Sequence, residues 1–290
     1  MNRRKYIKSS SLGLIGLWTL QNTSLKHAIL SINKSHPSNI KHSVSRWCYQ
    51  SLSLEILTDF CVEKGIQSIE LLEPEEYQYV IKNGLSCAVA NGPSSHITQG
   101  FNEPNLHEYL LAEYTKLIPL AADYGIPNII CFSGNKRGLN DLEGLENCAK
   151  GLDKVVNLAE KYNINLIMEL LNSKVDHKDY QCDHTDWGVQ LVKKVSSERF
   201  KLLYDIYHMQ IMEGNIIETI QQNIQYIGHF HTAGVPGRHD LDKNQELNYE
   251  AIFHAIKKTG YREYIGQEFL PIKPNPLESL MDSILLLEQS

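Results

Sequence analysis

The feature that most constrains the fold of this chain is a regular alternation of two kinds of segment. From Val44 onward, short apolar runs rich in β-branched residues alternate with longer segments such as LENCAKGLDKVVNLAEKYN, in which apolar residues recur every three or four positions. The first pattern predicts buried strands and the second amphipathic helices, and their alternation is typical of β/α units around a parallel sheet. The eight predicted strands are SVSRWCY, IQSIELL, SCAVANG, NIICFSG, INLIMELLN, FKLLYDIYH, YIGHFHTAG and YIGQEFL.

The number of these units decides between two kinds of parallel sheet. The chain has 290 residues, and a closed barrel of eight β/α units needs roughly 250. An open dinucleotide-binding sheet carries a G-x-G-x-x-G turn after a strand, and no such turn follows any predicted strand. We therefore predict an α/β fold, a (β/α)8 TIM barrel, formed by one domain over residues 44–290.

The balance of charge narrows the classes of partner. The chain has 28 Lys and Arg against 34 Asp and Glu, a formal net charge of -6, without a basic stripe. Nucleic acid is therefore not expected as a partner, because a phosphate backbone is bound by clustered positive charge. The six cysteines are scattered without a close pair, so most are expected to be buried apolar side chains. A function on small molecules is therefore favoured over nucleic-acid binding.

The first thirty residues have the pattern of an export signal. Arg3 and Arg4 precede a short apolar run from Leu12 to Leu20, which is too short to span a bilayer. This arrangement resembles a twin-arginine secretory signal over residues 1–30, followed by a polar linker over residues 31–43. An amphipathic helix or a disordered tail is the alternative. The expected location is the periplasm, or the cytoplasm if the signal does not function.

Polar residues at the carboxyl ends of barrel strands face the active-site mouth. The last four predicted strands each deliver one such residue, namely Glu169, Asp205, His231 and Glu268. Three carboxylates crowded together repel one another unless a cation is present. A site made of oxygen donors and one imidazole suits Mn²⁺, Mg²⁺ or Co²⁺, with open positions for two substrate oxygens. The sequence therefore predicts a divalent metal site at this rim.

Each of these residues taken alone has a plainer interpretation. A lone glutamate at a strand end commonly anchors a loop or forms an ion pair. His229 and His231 share a strand face, so one of them can be a hydrogen-bonded histidine inside the barrel. His208 lies three residues past Asp205, so its imidazole either returns over the pocket or packs at a helix start. Arg238, in a loop with Gly and Pro, either offers a fork to an anionic group or is a solvated surface arginine.

Three stretches carry a resemblance to a known family. They are YDIYHMQIMEG at 204–214, HFHTAGVPGRH at 229–239 with LNY at 247–249, and GQE at 266–268. They resemble the hydroxypyruvate isomerases, a branch of the xylose-isomerase-like barrels, and the similarity spans about residues 44–288. The resemblance implies an isomerase that moves a proton next to a carbonyl through an enediol, acting on a small hydroxy-carbonyl compound or sugar.

The resemblance also implies roles for individual residues. Glu169, Asp205, His231 and Glu268 bind the divalent metal ion, Glu169 and Glu268 also form the acid/base pair, and His208 and Arg238 contact the substrate. Three alternatives stay open: a ketose 3-epimerase, a lyase or hydrolase of keto-sugars, and a barrel that binds carbohydrate without turnover. The expected partner is a small molecule, stable membrane association is not expected after export, and assembly into a homo-oligomer stays open.

Overall fold

The computed structural model of the protein describes residues 41–93 and 97–288. The predicted signal peptide and the predicted linker up to residue 40 lie outside the described residues. The first strand begins at Lys41. Residues 41–43, predicted as the end of the linker, therefore belong to the sheet.

Seven parallel strands form a curled sheet in the described part of the chain. They are β1 (Lys41–Ser45), β2 (Ser68–Glu70), β3 (Asn128–Cys131), β4 (Asn165–Glu169), β5 (Phe200–Asp205), β6 (Ile227–Thr232) and β7 (Tyr264–Gln267). Their order across the sheet is β2-β1-β7-β6-β5-β4-β3. Nearly every strand residue is buried. Burial on both faces explains why the strands are continuous apolar runs instead of alternating ones.

The third predicted strand, SCAVANG, does not form a regular ladder, and it fills the gap between the two ends of this sheet. On one side the backbone N–H of Leu71 donates to the carbonyl of Val89 at 2.7 Å. On the other side Ala90 donates to the carbonyl of Asn128 at 2.9 Å, and Ile130 donates back to Ala90 at 3.1 Å. The segment thus joins β2 to β3 through isolated parallel bridges. The sheet closes into the predicted barrel with this irregular segment in the eighth position.

Helices on the outside of the sheet connect the strands. They are α1 (Leu54–Lys64), α2 (Pro74–Lys82), α3 (His107–Asp123), α4 (Asp141–Tyr162), α5 (Thr185–Val195), α6 (Ile206–Met212), α7 (Ile216–Asn223), α8 (Tyr249–Lys258) and α9 (Pro276–Glu288). The longest, α4, begins at a capping box in which Asn140 and Glu143 each accept from the other's backbone N–H. It ends at Asn163 in the left-handed conformation, with φ 58°.

The buried apolar side chains of the described residues form two clusters. One large cluster of buried apolar side chains joins the helices to the outer face of the sheet, and a smaller one, which includes Ile130, Ile167 and Leu203, lies inside the barrel. All six cysteines are free and five are buried, as expected for small apolar side chains. Among residues 41–93 and 97–288, no helix is long and apolar enough to cross a membrane.

Candidate active site

The four residues predicted from the strand ends lie together at the carboxyl end of the barrel. Glu169 ends β4, Asp205 ends β5, His231 lies in β6, and Glu268 directly follows β7. Parallel pairing places Asp205 opposite His231. All four are at most 4 % exposed. One potential ligand atom from each lies within 4.8 Å of the other three, which is close enough for a single ion to contact all four.

Atomic contacts show which donor atoms face this point. His231 Nδ1 lies 2.9 Å from Glu268 Oε2 and 3.2 Å from Glu169 Oε1. Asp205 caps helix α6, because its Oδ1 accepts the backbone N–H of Tyr207 at 2.8 Å. Its second oxygen, Oδ2, stays directed toward the rest of the cluster. The local fold therefore fixes one oxygen of Asp205 in the helix cap and leaves the other facing Arg238 and His208.

The pKa values of these groups reflect crowded charge in a buried place. Burial, together with the charges of Glu268 and Glu169, raises the pKa of Asp205 to about 7 although Arg238 opposes the shift. Burial and Glu268 raise the pKa of Glu169 above its usual range. Burial opposes the charge of Glu268, but His231 and Arg238 outweigh it and hold the pKa of Glu268 well below its usual value. Protons and Arg238 thus compensate the carboxylates.

A divalent cation fits this donor set. Burial disfavours protonated His231, yet the surrounding carboxylates raise its pKa well above 6.5. Both this shift and the raised pKa of Asp205 mean that the cluster attracts positive charge. Three carboxylates and one imidazole suit Mn²⁺, Mg²⁺ or Co²⁺. Glu169, Asp205, His231 and Glu268 form one group that could hold such an ion, and Glu70, His229 and His231 form a second, which shares His231.

Arg238 lies inside the site and is not a solvated surface residue. Its Nη2 lies 2.5 Å from Glu268 Oε2 and 3.3 Å from Asp205 Oδ2. The guanidinium stacks 5.2 Å from the ring centre of Trp47 and 5.5 Å from that of Tyr207. Arg238 has φ 58°, in the left-handed region, so the loop pays a conformational cost to direct it inward.

His208 is fully buried at the start of α6, and its neighbours define its tautomer. Asn172 Oδ1 accepts the backbone N–H of Val175 at 3.0 Å and that of Asp176 at 2.9 Å, which fixes the orientation of the amide. Asn172 Nδ2 then donates to His208 Nδ1 at 2.7 Å. The imidazole proton is therefore on Nε2, which lies 3.6 Å from Asp205 Oδ2 and makes no hydrogen bond. Burial holds the pKa of His208 well below 6.5, so a neutral N–H donor faces the site.

Glu70 is a further buried side chain at this site. It was not predicted from the sequence. It ends β2 and is fully buried. Its Oε1 lies 2.9 Å from His231 Nε2, and its Oε2 lies 3.1 Å from His229 Nε2. Burial opposes ionisation, but His229 and then His231 lower the pKa of Glu70 to about 2. The rule of strand ends, applied to IQSIELL as well as to the last four strands, would have found it.

Gly266 makes this contact sterically feasible. It lies on β7, opposite His231 of β6 in the sheet register. A Cβ at this position would lie 2.0 Å from Glu70 Oε1 and 2.7 Å from His231 Cδ2. Only a residue without a side chain therefore lets the carboxylate from β2 reach the imidazole on β6.

A cavity of about 320 Å³ opens directly onto the cluster. Its polar lining includes Glu169, Glu268 and Arg238. Its apolar lining is contributed by Trp47, Leu71, Ile97, Ile130, Phe132 and Leu171. Trp47 also contacts the carboxylate cluster, because its Nε1 donates to Glu268 Oε1 at 2.7 Å. Trp47 follows Arg46, just after the end of β1. It was not predicted as a site residue, because the candidates were taken only from the ends of the last four strands.

Together, these features define a TIM-barrel protein with a buried, carboxylate-rich cluster and an adjoining cavity at one rim. The chain belongs to the xylose isomerase-like TIM barrel family, whose sequence model matches residues 60–289.

Curated relatives belong to the isomerases. The chain is 35% identical over 115 residues to the 2-oxo-tetronate isomerase of Cupriavidus necator, an alignment that covers 40% of this chain and 44% of the relative. It is 27% identical over 218 residues to the hydroxypyruvate isomerase of Escherichia coli, covering 71% and 84%. The chain thus spans about half the length of some of these relatives and most of others.

Solved structures share the fold. The AP endonuclease, family 2, from Brucella melitensis superposes with a TM-score of 0.76 at 21% identity, covering 83% of this chain and 97% of that one. A 3-keto-D-glucoside 4-epimerase from E. coli superposes with 0.72 at 18%, covering 87% and 100%. The IOLI protein with a bound zinc atom superposes with 0.69 at 15%, covering 85% and 96%.

Proposed function

We propose that this protein is a divalent-metal-dependent isomerase that moves a proton between neighbouring carbons of a small α-hydroxy carbonyl compound. The observation that carries this proposal is the pair Glu169 and Glu268, whose oxygens both reach His231 Nδ1 and which line the same cavity. Two carboxyl groups that border one cavity are placed to act as an acid and a base on a bound ligand. The isomerases among the curated relatives support the same chemistry.

The two glutamates account for the proton movements at carbon. One of them takes the proton from the hydroxyl-bearing carbon next to the carbonyl, which gives an enediolate of the substrate. The other returns a proton to the former carbonyl carbon while the hydroxyl proton moves to the former carbonyl oxygen, so the carbonyl changes place. A divalent cation held by Glu169, Asp205, His231 and Glu268 would polarise the carbonyl and stabilise the negative charge that develops on oxygen.

Two further residues orient the substrate in this proposal. The Nε2–H of His208 is a neutral donor without a hydrogen-bond partner next to Asp205 Oδ2, and in this proposal it donates to a substrate hydroxyl. Arg238 keeps Glu268 ionised and is held by the rings of Trp47 and Tyr207. If the proton is instead returned to the original carbon, but on the opposite face, the product is an epimer of the substrate. Epimerisation is therefore a second outcome that this geometry allows.

The test is proton exchange in deuterated water with the metal-loaded protein. Purified protein is analysed for bound metal, and hydroxypyruvate, ketoses and 3-keto-sugars are followed by NMR for exchange at the carbon next to the carbonyl. We expect exchange with at least one compound, reduced by roughly a hundred-fold or more in Glu169→Gln and in Glu268→Gln. Glu63→Gln, the same change on the exposed surface of α1, serves as the control. Absence of exchange with every compound, or full exchange in both variants, contradicts the proposal.

We also propose that residues 1–30 export the folded protein by the twin-arginine route. The proposal is supported by Arg3 and Arg4 ahead of the short apolar run. Replacing both arginines by lysine should retain the protein in the cytoplasm on cell fractionation. An unchanged distribution between the fractions would argue against export by this route.

A further inference from the structure

The proposed isomerisation moves a proton at oxygen as well as at carbon. When the carbonyl changes place, the proton of the substrate hydroxyl has to reach the former carbonyl oxygen. The two oxygens are on neighbouring carbons, so one side chain that touches both can accept the proton from the first and donate it to the second. Glu169 and Glu268 act on the protons at carbon in the proposed function. A different side chain at the same cavity would carry the proton at oxygen.

Most polar side chains of the described cavity lining cannot carry a proton in this way. Arg238 stays protonated, and the indole N–H of Trp47 only donates. Asn91 is an amide, which neither gains nor loses a proton, and its nitrogen already donates to a backbone carbonyl at 3.0 Å and to a carboxylate at 2.7 Å. Apart from the two glutamates, His177 is the remaining polar residue of this lining.

His208, beside the cavity, can donate a hydrogen bond but has no place for a further proton. Its Nδ1 accepts from Asn172 Nδ2 at 2.7 Å, and its Nε2 carries the ring proton. Protonation of Nδ1 would break the bond to Asn172 and place a charge at a fully buried position. His208 therefore orients a substrate oxygen without carrying a proton.

His177 has the features that the transfer requires. It lines the cavity together with Glu169 and Glu268 and is partly exposed. Within residues 41–93 and 97–288, neither of its ring nitrogens has a hydrogen-bond partner. Its ring centre lies 5.2 Å from that of His208, with the two rings edge to face. A neutral imidazole has one nitrogen that donates and one that accepts, and in His177 both are available to a ligand.

Backbone hydrogen bonds hold His177 at this place. Its N–H donates to the carbonyl of Asn172 at 3.1 Å, and its carbonyl accepts the N–H of Tyr180 at 3.0 Å. The side-chain oxygen of Asn172 accepts two further N–H groups of the same turn. Asn172 therefore positions His177 through the backbone and His208 through its amide nitrogen.

The charges around His177 keep its imidazole neutral near neutral pH. Burial and then Arg238 lower its pKa, although Asp176 and Glu268 oppose the shift. A divalent cation at the carboxylate cluster would add positive charge nearby and would act in the same direction as Arg238. A neutral imidazole can both accept and donate a proton, whereas an imidazolium can only donate one.

From these contacts we propose that His177 carries the oxygen-bound proton between the two neighbouring oxygens of the substrate. Its unprotonated nitrogen takes the proton of the substrate hydroxyl as a glutamate removes the proton from carbon, and the imidazole then gives a proton to the former carbonyl oxygen. One O–H bond breaks and one forms, so the imidazole is neutral again at the end and no other reactant is consumed. The inference rests on the proposed function, because it completes the proton movements of that reaction.

The division of the enediolate between two outcomes tests this role. Return of a proton to the original carbon gives deuterium uptake without isomer and needs no transfer between the oxygens, whereas isomer formation needs one. The metal-loaded full chain is incubated in deuterated water with hydroxypyruvate, D-fructose or 3-keto-D-glucose, and NMR follows deuterium uptake at carbon and isomer formation. We expect His177→Gln to lower the rate of isomer formation roughly ten-fold or more relative to the rate of deuterium uptake. An unchanged ratio of the two rates would overturn the inference.

Rescue with free imidazole separates a proton-transfer role from a structural one. His177→Ala leaves space in the cavity, so added imidazole should restore isomer formation in this variant but not in Glu268→Gln. His254→Gln, the same change as His177→Gln at an exposed position of α8, is the control and should alter neither rate. Restoration by imidazole supports the role, whereas an equal loss of both rates in the two His177 variants would contradict it.

The same measurements keep this inference apart from the proposed function. No deuterium uptake with any of the three compounds in the unmodified protein would contradict the isomerase proposal, and the inference with it. Deuterium uptake and isomer formation whose ratio does not depend on His177 would leave the isomerase proposal standing and overturn the inference alone.

Discussion

Glu70 Oε1 lies 2.9 Å from His231 Nε2, on the side of the imidazole opposite to the Nδ1 atom that faces Glu169 and Glu268. A carboxylate in this position favours a proton on Nε2 and leaves Nδ1 free as a ligand. The contact depends on Gly266, because a Cβ there would collide with the Glu70 carboxylate. One fully buried residue on β2 therefore positions a potential metal ligand on β6.

Glu70→Gln tests this relationship. Glutamine has the same shape but no charge, so it holds the Nε2 proton of His231 more weakly. We expect a 10- to 100-fold loss of divalent metal affinity, measured by competition with a fluorescent chelator, with the fold retained by circular dichroism. Glu63→Gln on the surface is the matched control. A metal affinity equal to that of the unmodified protein would show that Glu70 only fills space.

Asn172→Asp tests the tautomer of His208. The amide nitrogen of Asn172 donates to Nδ1 of His208, whereas an aspartate carboxylate can only accept, so the imidazole proton should move to Nδ1. Nε2 then faces Asp205 Oδ2 without a proton, and the donor for the substrate is lost. We expect kcat/KM to fall by about ten- to a hundred-fold, together with changed ring-nitrogen chemical shifts of His208. Unchanged nitrogen shifts would refute the proposed hydrogen-bond direction.

The four strand ends were predictable because strand burial and the barrel rule operate on short, local patterns. Glu169, Asp205, His231 and Glu268 each follow or end an apolar run, and a parallel barrel brings such ends to one rim. The local pattern of SCAVANG did not predict its irregular pairing, since its bridges depend on the register of two neighbouring strands.

The apolar lining of the cavity was less predictable from the sequence than the four strand ends, for a different reason. Trp47, Ile97 and Phe132 come from three separate connections, and their meeting at one cavity depends on loop conformations that no periodicity encodes. The left-handed conformation of Leu71 is likewise imposed by hydrogen bonds from segments some twenty residues away. The meeting of the four strand ends at one rim was thus predictable from the sequence, whereas the shape of the cavity beside them was visible only in the structure.

Arg238→Met should affect the metal-free protein most. Arg238 compensates Asp205 and Glu268 through one nitrogen, and removing one partner of a buried ion pair costs about 3 kcal/mol or more. A bound divalent cation compensates the same carboxylates, so we expect a large drop in melting temperature with chelator and a smaller one with metal. Arg262→Met, which removes an exposed arginine that donates to the backbone carbonyls of Lys257 and Tyr261, is the control. Equal drops in both conditions would contradict this role.

The gain in stability from metal should increase with pH. The folded, metal-free protein holds the Asp205 proton up to about pH 7, whereas the unfolded chain releases it near 3.8. The folded state therefore binds more protons between these values, and this group lowers stability as pH rises from about 4 to 7. His231 acts in the same direction, because its raised pKa contributes stability below pH 6.5 that is lost as pH rises through the folded value. The pKa of Glu70 is lowered to about 2, so its contribution changes only in more acidic solution.

Metal binding has the opposite dependence on pH, since Asp205 and His231 must lose their protons to act as ligands. The difference in melting temperature between the Mn²⁺-loaded and the chelated protein should therefore widen from about pH 5 to about pH 8. Asp205→Asn, which neither titrates nor carries charge, should bind metal more weakly and flatten this dependence. A difference that is constant across the range, or that narrows toward pH 8, would mean that protons and metal do not compete for these side chains.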